Sequence, residues 1–235
     1  MQLFYNENIA PNTKEFSFDK EESKHIVKVL RKKENDSIYI SNGKGYVFTA
    51  AITFANEKKC TVNIINETFY NADLFYIHIA IAPTKLNDRF EWFLEKVTEI
   101  GVHEITPIVC EHSERKIYKT ERAEKIIQSA FKQSNRYYIP KINQPVQLSD
   151  FVKSNSSDLK FIAHCQEQDK KSLFYSVEKN KKCTILIGPE GDFSLKEITF
   201  ALQNNYKPIS LGNNRLRTET AGIIACHTVV LKNEN

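Results

Sequence analysis

The stretch Ile185-Leu186-Ile187-Gly188-Pro189-Glu190-Gly191-Asp192-Phe193-Ser194 passes from an apolar run through a Gly/Pro turn to a helix start. The aliphatic run after Cys183 and Thr184 reads as a buried strand, and Ser194 with Glu197 reads as a capping box that opens a helix. Strand, sharp turn and helix form the unit of an α/β domain, whose ligands bind beyond the carboxyl ends of the strands. Only seven glycines occur in 235 residues, so their positions are informative. Gly188, Gly191 and Gly212 fall just past two strand-like runs. The turn lacks the GxxxxGK and GxGxxG patterns, which argues against either phosphate cradle. Taken alone, it needs no function at all, because such turns require Gly and Pro for their geometry.

Downstream, Leu211-Gly212-Asn213-Asn214-Arg215-Leu216-Arg217-Thr218-Glu219-Thr220-Ala221 repeats the arrangement after the next strand-like run, 208–211. By itself this is a capped helix, with Thr218 as N-cap and Glu219 favoured at the positive helix end. If the two strands are adjacent and parallel, both turns meet at one sheet edge. Upstream, Phe75, Ile77, Ile79 and Ile81 alternate as in a strand. Phe90, Phe93, Leu94, Val97 and Ile100 then recur at helical spacing up to Gly101. Further strand-like runs lie at 104–110, 160–165 and 183–187, and helical patterns at 119–134, 194–204 and 218–231. Residues 73–235 are therefore expected to form an α/β domain with a mostly parallel sheet. The polar residues 154–157 read as a loop.

Residues 1–72 follow a different grammar. Asp19 and Glu22 resemble a capping box, followed by an apolar face of Ile26, Val27, Val29 and Leu30. The other face is basic, with Lys24, Lys28, Arg31, Lys32 and Lys33 beside His25 and no acid among them. Runs at 37–40, 46–54 and 61–65, separated by polar turns, predict a small antiparallel β-barrel.

The composition, 41% hydrophobic and 26% charged, is that of a globular chain and excludes a mostly disordered one. Thirty-three Lys+Arg against 29 Asp+Glu give a net charge of +4 and a pI of about 8.6, too mild to identify a partner. No run approaches 18 apolar residues, and residues 1–7 carry neither a basic leader nor an apolar export core, so a cytoplasmic protein is expected, with no membrane partner. The five cysteines, an odd number without CxxC spacing, suit reduced, buried thiols, and no structural metal is expected. His78 on a strand and His227 in the last helix have no metal-spaced partner and read as structural. Residues 113–141 hold eight Lys/Arg against three acids, with Tyr118, Phe131, Tyr137 and Tyr138 among them. Such a run fits a solvated helix face, and it equally fits phosphates and stacked bases.

The ordered combination of IGPEGDFS, LGNNRLRTETA and Gln133-Ser134-Asn135-Arg136 resembles the RsmE family of SPOUT-superfamily RNA methyltransferases, which methylate N3 of a uridine in 16S ribosomal RNA. The resemblance spans nearly the whole chain. It includes residues 85–92, 95–102, Ile105-Thr106-Pro107, Ile139-Pro140 and, in the β-rich part, His25-Ile26-Val27-Lys28-Val29-Leu30-Arg31. Two departures stand out. Asp192 occupies a position where a second glycine is common, and Asn213-Asn214-Arg215 one where a Pro-Arg pair with an apolar residue is usual.

The resemblance implies a PUA-like RNA-binding β-barrel over 1–72 and, over 73–235, a SPOUT α/β domain with a C-terminal trefoil knot. It further implies a homodimer and S-adenosylmethionine as cofactor, held by Ile187, Gly188, Pro189, Glu190 and Gly191 and by Leu211, Gly212, Leu216, Arg217 and Thr218. Ile187, Leu211 and Leu216 would enclose the adenine. Lys24, Lys28, Arg31, Arg89, Arg115, Lys116 and Arg136 are expected to contact RNA of the small subunit. Methyl transfer to N3 is an in-line displacement that needs donor and acceptor aligned and the N3 proton removed. Arg136 and Arg217 are the candidate cations for the uracil anion, and Glu190 or Glu219 the candidate proton acceptor. Two other classes remain open at this point. One is a non-catalytic RNA-binding or assembly factor; the other is a SPOUT methylase acting on a ribose 2′-hydroxyl or another base.

Overall fold

The computed structural model describes residues 2–234, which fold as two units: one runs up to Ala72 and adds Phe131–Ile139, and the other comprises Asp73–Ala130 and the chain from Pro140 onward.

In the first unit the elements are β1 (Leu3–Tyr5), β2 (Glu15–Ser17), α1 (Lys20–Lys24), β3 (Ser37–Ser41), β4 (Tyr46–Phe54) and β5 (Thr61–Phe69). The sheet order is β1-β3-β4-β5-β2. Pairing is antiparallel except between β1 and β3. The small β-barrel expected to be antiparallel thus has one parallel pairing, because β2 and α1 supply the long crossover that a parallel pair requires. Asp19 caps α1 by accepting from Glu22 N at 2.8 Å. The helix then widens into a π turn over His25–Val29, closed by Leu30 N on His25 O. This wider turn alters the expected apolar face. Ile26 is fully buried, whereas Val29 is 62% exposed. The core gathers Phe4, Phe18, Ile38, Ile40, Phe48, Ile52 and Val62. A second cluster is built on Phe131 with Leu3 and Val47, and Tyr137 stacks on Tyr70 at 3.6 Å.

The second unit carries β6 (Tyr76–Ile81), α2 (Asn87–Ile100), β7 (Glu104–Val109), α3 (Glu121–Ser134, whose last turn belongs to the first unit), β8 (Lys141–Ile142), β9 (Val146–Gln147) and α4 (Leu148–Ser154). There follow β10 (Leu159–Ala163), β11 (Lys171–Ser172), α5 (Leu173–Ser176), β12 (Lys182–Ile187), α6 (Leu195–Gln203), β13 (Lys207–Ser210) and α7 (Thr218–Glu234). The sheet order is β11-β13-β10-β12-β6-β7-β8, with β9 also on β7, and every pairing is parallel. Strands 12 and 13 are therefore not neighbours as the sequence suggested, since β10 lies between them. Their carboxyl ends still share one edge, because all three strands point the same way.

Ser194 and Glu197 form the full capping box that opens α6. Gly101, at φ 132°, ends α2 in a conformation closed to most side chains. Helix α7 lies against α2 at Gly222, where a Cβ would stand 2.5 Å from Phe93 Cε2 and 3.0 Å from Ile81 Cδ1. Cys60, Cys110, Cys183 and Cys226 are buried free thiols, but Cys165 is exposed, contrary to the expectation of buried cysteines. No described helix is long and apolar enough to cross a membrane.

Candidate functional site

Strand β12 is buried from Cys183 to its end and delivers Ile187 and Gly188 to the carboxyl edge of the sheet. Gly188 is packed on the next buried aromatic, since a Cβ there would meet the Phe193 ring at 3.0 Å. The chain then turns through Pro189, Glu190 and Gly191 to Asp192, whose φ of 63° lies in the left-handed region. Glycine takes up that region without cost, and aspartate tolerates it better than most residues do. The carboxylate also offsets the strain: Oδ2 accepts from Cys165 N at 2.9 Å and Oδ1 from Phe193 N at 2.9 Å. The departure from glycine thus ties the turn after β12 to the segment after β10. His112 Nδ1 stands 3.2 Å from Gly191 O and 3.1 Å from Asp192 O, and Glu190 Oε1 accepts from Lys85 N at 3.0 Å.

The second turn leaves β13 through Leu211 and Gly212, which has a φ of 132° and open space where a Cβ would stand. It returns at Thr218, whose buried Oγ1 donates to Gly188 O at 3.0 Å. One bond therefore fastens the start of α7 to the end of β12. Between the turns lies a cleft of about 270 Å³ lined by Ile187, Gly188, Pro189, Glu190, Asp192, Leu216, Arg217 and Thr218, among others. An adjoining hollow of about 410 Å³ is lined by Leu211, Gly212, Asn213, Asn214, His164 and Lys170. Both are bounded by Ala163, Cys165, Arg215, Leu216 and Ala221, so they are two lobes of one depression. Pockets for small organic ligands are usually roughly 300–1,000 Å³. Ile187, Leu211 and Leu216 contribute aliphatic surface to the lining. Carboxylates (Glu190, Asp192) and guanidinium groups (Arg215, Arg217) stand among the lining residues. Burial, and then the Lys170 ammonium, push the His164 imidazole below its ordinary pKa, against an opposing contribution from Asp192.

Of the ten residues expected to hold a cofactor, all but Gly191 line one lobe or the other. The remaining expected residues are spread over both units. Arg217 is exposed and lines the cleft, whereas Glu219 is buried, lines neither lobe, and has Arg89 Nε 3.9 Å from its Oε1. Arg115 bonds Asn87 and lies 5.0 Å from the Tyr118 ring centre, and Lys116 is exposed. Arg136 belongs to the first unit, as do the exposed Lys24, Lys28 and Arg31. Sequence reasoning missed the wall formed by Ala163, His164 and Cys165. The signal was present, because a strand-like run ended there and strand ends are where ligands bind. His78 is buried and bonded to Thr106, and His227 is exposed. Among the described residues, no group of three His, Cys, Asp or Glu is placed to hold a metal ion.

Comparison with known proteins gives a consistent result. The family described as RNA methyltransferase domain matches residues 72–230, and that described as RNA methyltransferase PUA domain matches 18–65. Ribosomal RNA small subunit methyltransferase E of Buchnera aphidicola is 33% identical over 220 residues, covering 90% of this chain and 86% of its own. The crystal structure of a probable rRNA-methyltransferase from Porphyromonas gingivalis superposes with a TM-score of 0.92 at 36% identity, covering 100% of this chain and 99% of that one. A protein of Legionella pneumophila, solved in complex with the bound cofactor SAM, gives 0.88 at 31% identity over 97% of this chain and 96% of its own.

Proposed function

This chain belongs to the RsmE family of ribosomal RNA small subunit methyltransferases, and from that premise we propose that it transfers the methyl group of S-adenosylmethionine to N3 of a uridine in 16S ribosomal RNA. The observation that carries the reading is the single two-lobed cleft between two turns fastened by the Thr218–Gly188 bond. When bound, S-adenosylmethionine supplies an electrophilic methyl carbon on a sulfonium. The residues present fit that molecule: aliphatic walls at Ile187, Leu211 and Leu216 suit an adenine, and backbone groups of both turns suit its polar edge. Glu190 and Asp192 suit the sulfonium and ammonium charges, and Arg215 suits a carboxylate. The last strands and α7 are inferred to form the trefoil knot of the family.

Uracil N3 becomes a nucleophile only when its proton leaves, so the chain must stabilise an anion spread over O2 and O4. Arg217, at the cleft, and Arg136 are the proposed cations. Glu190 is exposed at the cleft rim, with one oxygen fixed by the Lys85 amide, and is the proposed proton acceptor. Glu219, buried and absent from the lining of both lobes, is the less favoured acceptor. Lys24, Lys28, Arg31, Arg89, Arg115 and Lys116 are the proposed phosphate contacts. The substrate is proposed to lie within the small ribosomal subunit in the cytoplasm, and the enzyme to act as a homodimer in which Arg136 completes the partner's site.

N3 lies on the pairing edge of uracil, so its methylation stops reverse transcriptase. Primer extension on 16S rRNA from a strain lacking this protein should have lost one stop, restored by the wild-type gene. Arg217→Ala should leave the fold intact and lower the rate by about a hundred-fold or more, as loss of a charge-stabilising donor does. If no stop is lost in that strain, the uridine-N3 assignment fails. Light scattering at working concentration should give twice the chain mass; a monomer would remove the shared-site arrangement.

A further inference from the structure

The Glu219 side chain is only 6% exposed, and its Oε2 is sealed from solvent without a hydrogen-bond partner. A buried carboxylate oxygen left in that state is costly, so its position calls for a reason. Its neighbouring cation is Arg89, with Nε 3.9 Å from Oε1 and 36% of the side chain exposed. Arg89 lies in the first turn of α2, where the helix dipole disfavours a cation, and the N-cap residue Leu86 makes no capping bond there. Glu219 lies in the first turn of α7, where a carboxylate is favoured. One turn further along both helices, Gly222 faces Phe93 at a distance that admits no side chain on α7. That close approach brings the two first turns together and sets Glu219 beside Arg89.

We propose that Glu219 is a positioning residue acting through Arg89. The buried carboxylate holds the inner, Nε side of the guanidinium, and the exposed remainder binds a phosphate oxygen of the RNA substrate at the sheet edge that carries the cleft. A guanidinium offers separate donor edges, so one carboxylate and one phosphate can share it. The proposal rests on the methyl-transfer reading for its choice of substrate, and it explains both a cation at a helix N-terminus and a buried carboxylate that lines neither lobe of the cleft.

The test uses the full-length protein with tritiated S-adenosylmethionine and small subunits from a strain lacking it. Filter binding to 16S rRNA over a salt series accompanies the kinetics. E219Q and R89A should each raise KM for the RNA about ten-fold, the scale of one charged hydrogen bond, with kcat nearly unchanged. The double variant should be no worse than R89A, because both changes remove one interaction. R89A should lower the slope of log affinity against log salt by about one, and R89K should restore it. The role is overturned if E219Q lowers kcat about a hundred-fold at constant RNA KM, or if the two variants multiply. Should E219Q not fold, an R89A protein with wild-type KM and salt slope overturns it alone. Should the wild type transfer no methyl group, the functional reading fails, and the salt series still decides whether Arg89 and Glu219 act as one contact.

Discussion

Thr218 Oγ1 donates to Gly188 O across 3.0 Å inside the protein, so replacing the hydroxyl with a methyl group leaves a buried carbonyl without that partner. Thr218→Val is expected to cost about 1–3 kcal/mol in urea unfolding and to weaken S-adenosylmethionine several-fold in calorimetry, because the turns are no longer fastened. The sequence marked Thr218 as the N-cap, but α7 starts at Thr218 itself, with Arg217 O taking the first helical bond from Ala221 N. The bond to Gly188 was not legible, since it joins positions 30 apart that follow strands which are not neighbours. Asp192 is similar. Its chain position identified the turn, but only a φ of 63° and the reach to Cys165 N explain why aspartate serves where glycine is usual. The sequence offered Glu190 and Glu219 alike as proton acceptors; that Glu219 is buried while Glu190 is exposed was not legible.

Helices α2 and α7 pack through Gly222, and a Cβ 2.5 Å from Phe93 Cε2 has nowhere to go. Gly222→Ala is therefore expected to lose about 1–3 kcal/mol of stability despite alanine's better helix propensity, with a visible drop in the unfolding midpoint. Phe93→Leu in the same chain should recover part of it. A glycine within a helical pattern announces a close approach without naming the neighbour. Long elements with strong periodicity, such as α2 and β4, were legible to within a few residues. The short helices α4 and α5 were not, because seven and four residues hold too little periodicity to distinguish a helix from a loop. The π turn after α1 was also invisible, as no residue type specifies it.

At the amino edge of the second unit's sheet, His78, Glu104, Tyr76, Thr106 and Asn143 form a connected polar network. Burial pushes the His78 imidazole down to about 4; Glu104 opposes this, while Lys182 and Lys141 add to it. Burial raises Glu104, yet Asn143, His78, Tyr76 and Lys141 together hold it below the ordinary carboxylate value. Below about pH 6.5 the unfolded chain binds a proton that native His78 refuses, so stability falls with acidification toward pH 4. Glu104 adds a loss of the same sign as pH drops through its lowered folded value. Unfolding free energy should thus fall by about 2 kcal/mol between pH 7 and pH 5 on account of His78, and His78→Asn should flatten that slope.

For the molecule as a whole, residue order alone specified two kinds of structure, a small β-rich part and a parallel α/β sheet, and the two turns that follow its strands. Local periodicity and turn geometry are properties of neighbouring residues and can be read in one dimension. Only the tertiary structure decided that β10 separates β12 from β13, that residues 131–139 belong with the first unit, and that Glu190 and Asp192, not Glu219, line the cleft. Those outcomes depend on which distant surfaces bury one another, and packing between remote segments leaves no local period to read.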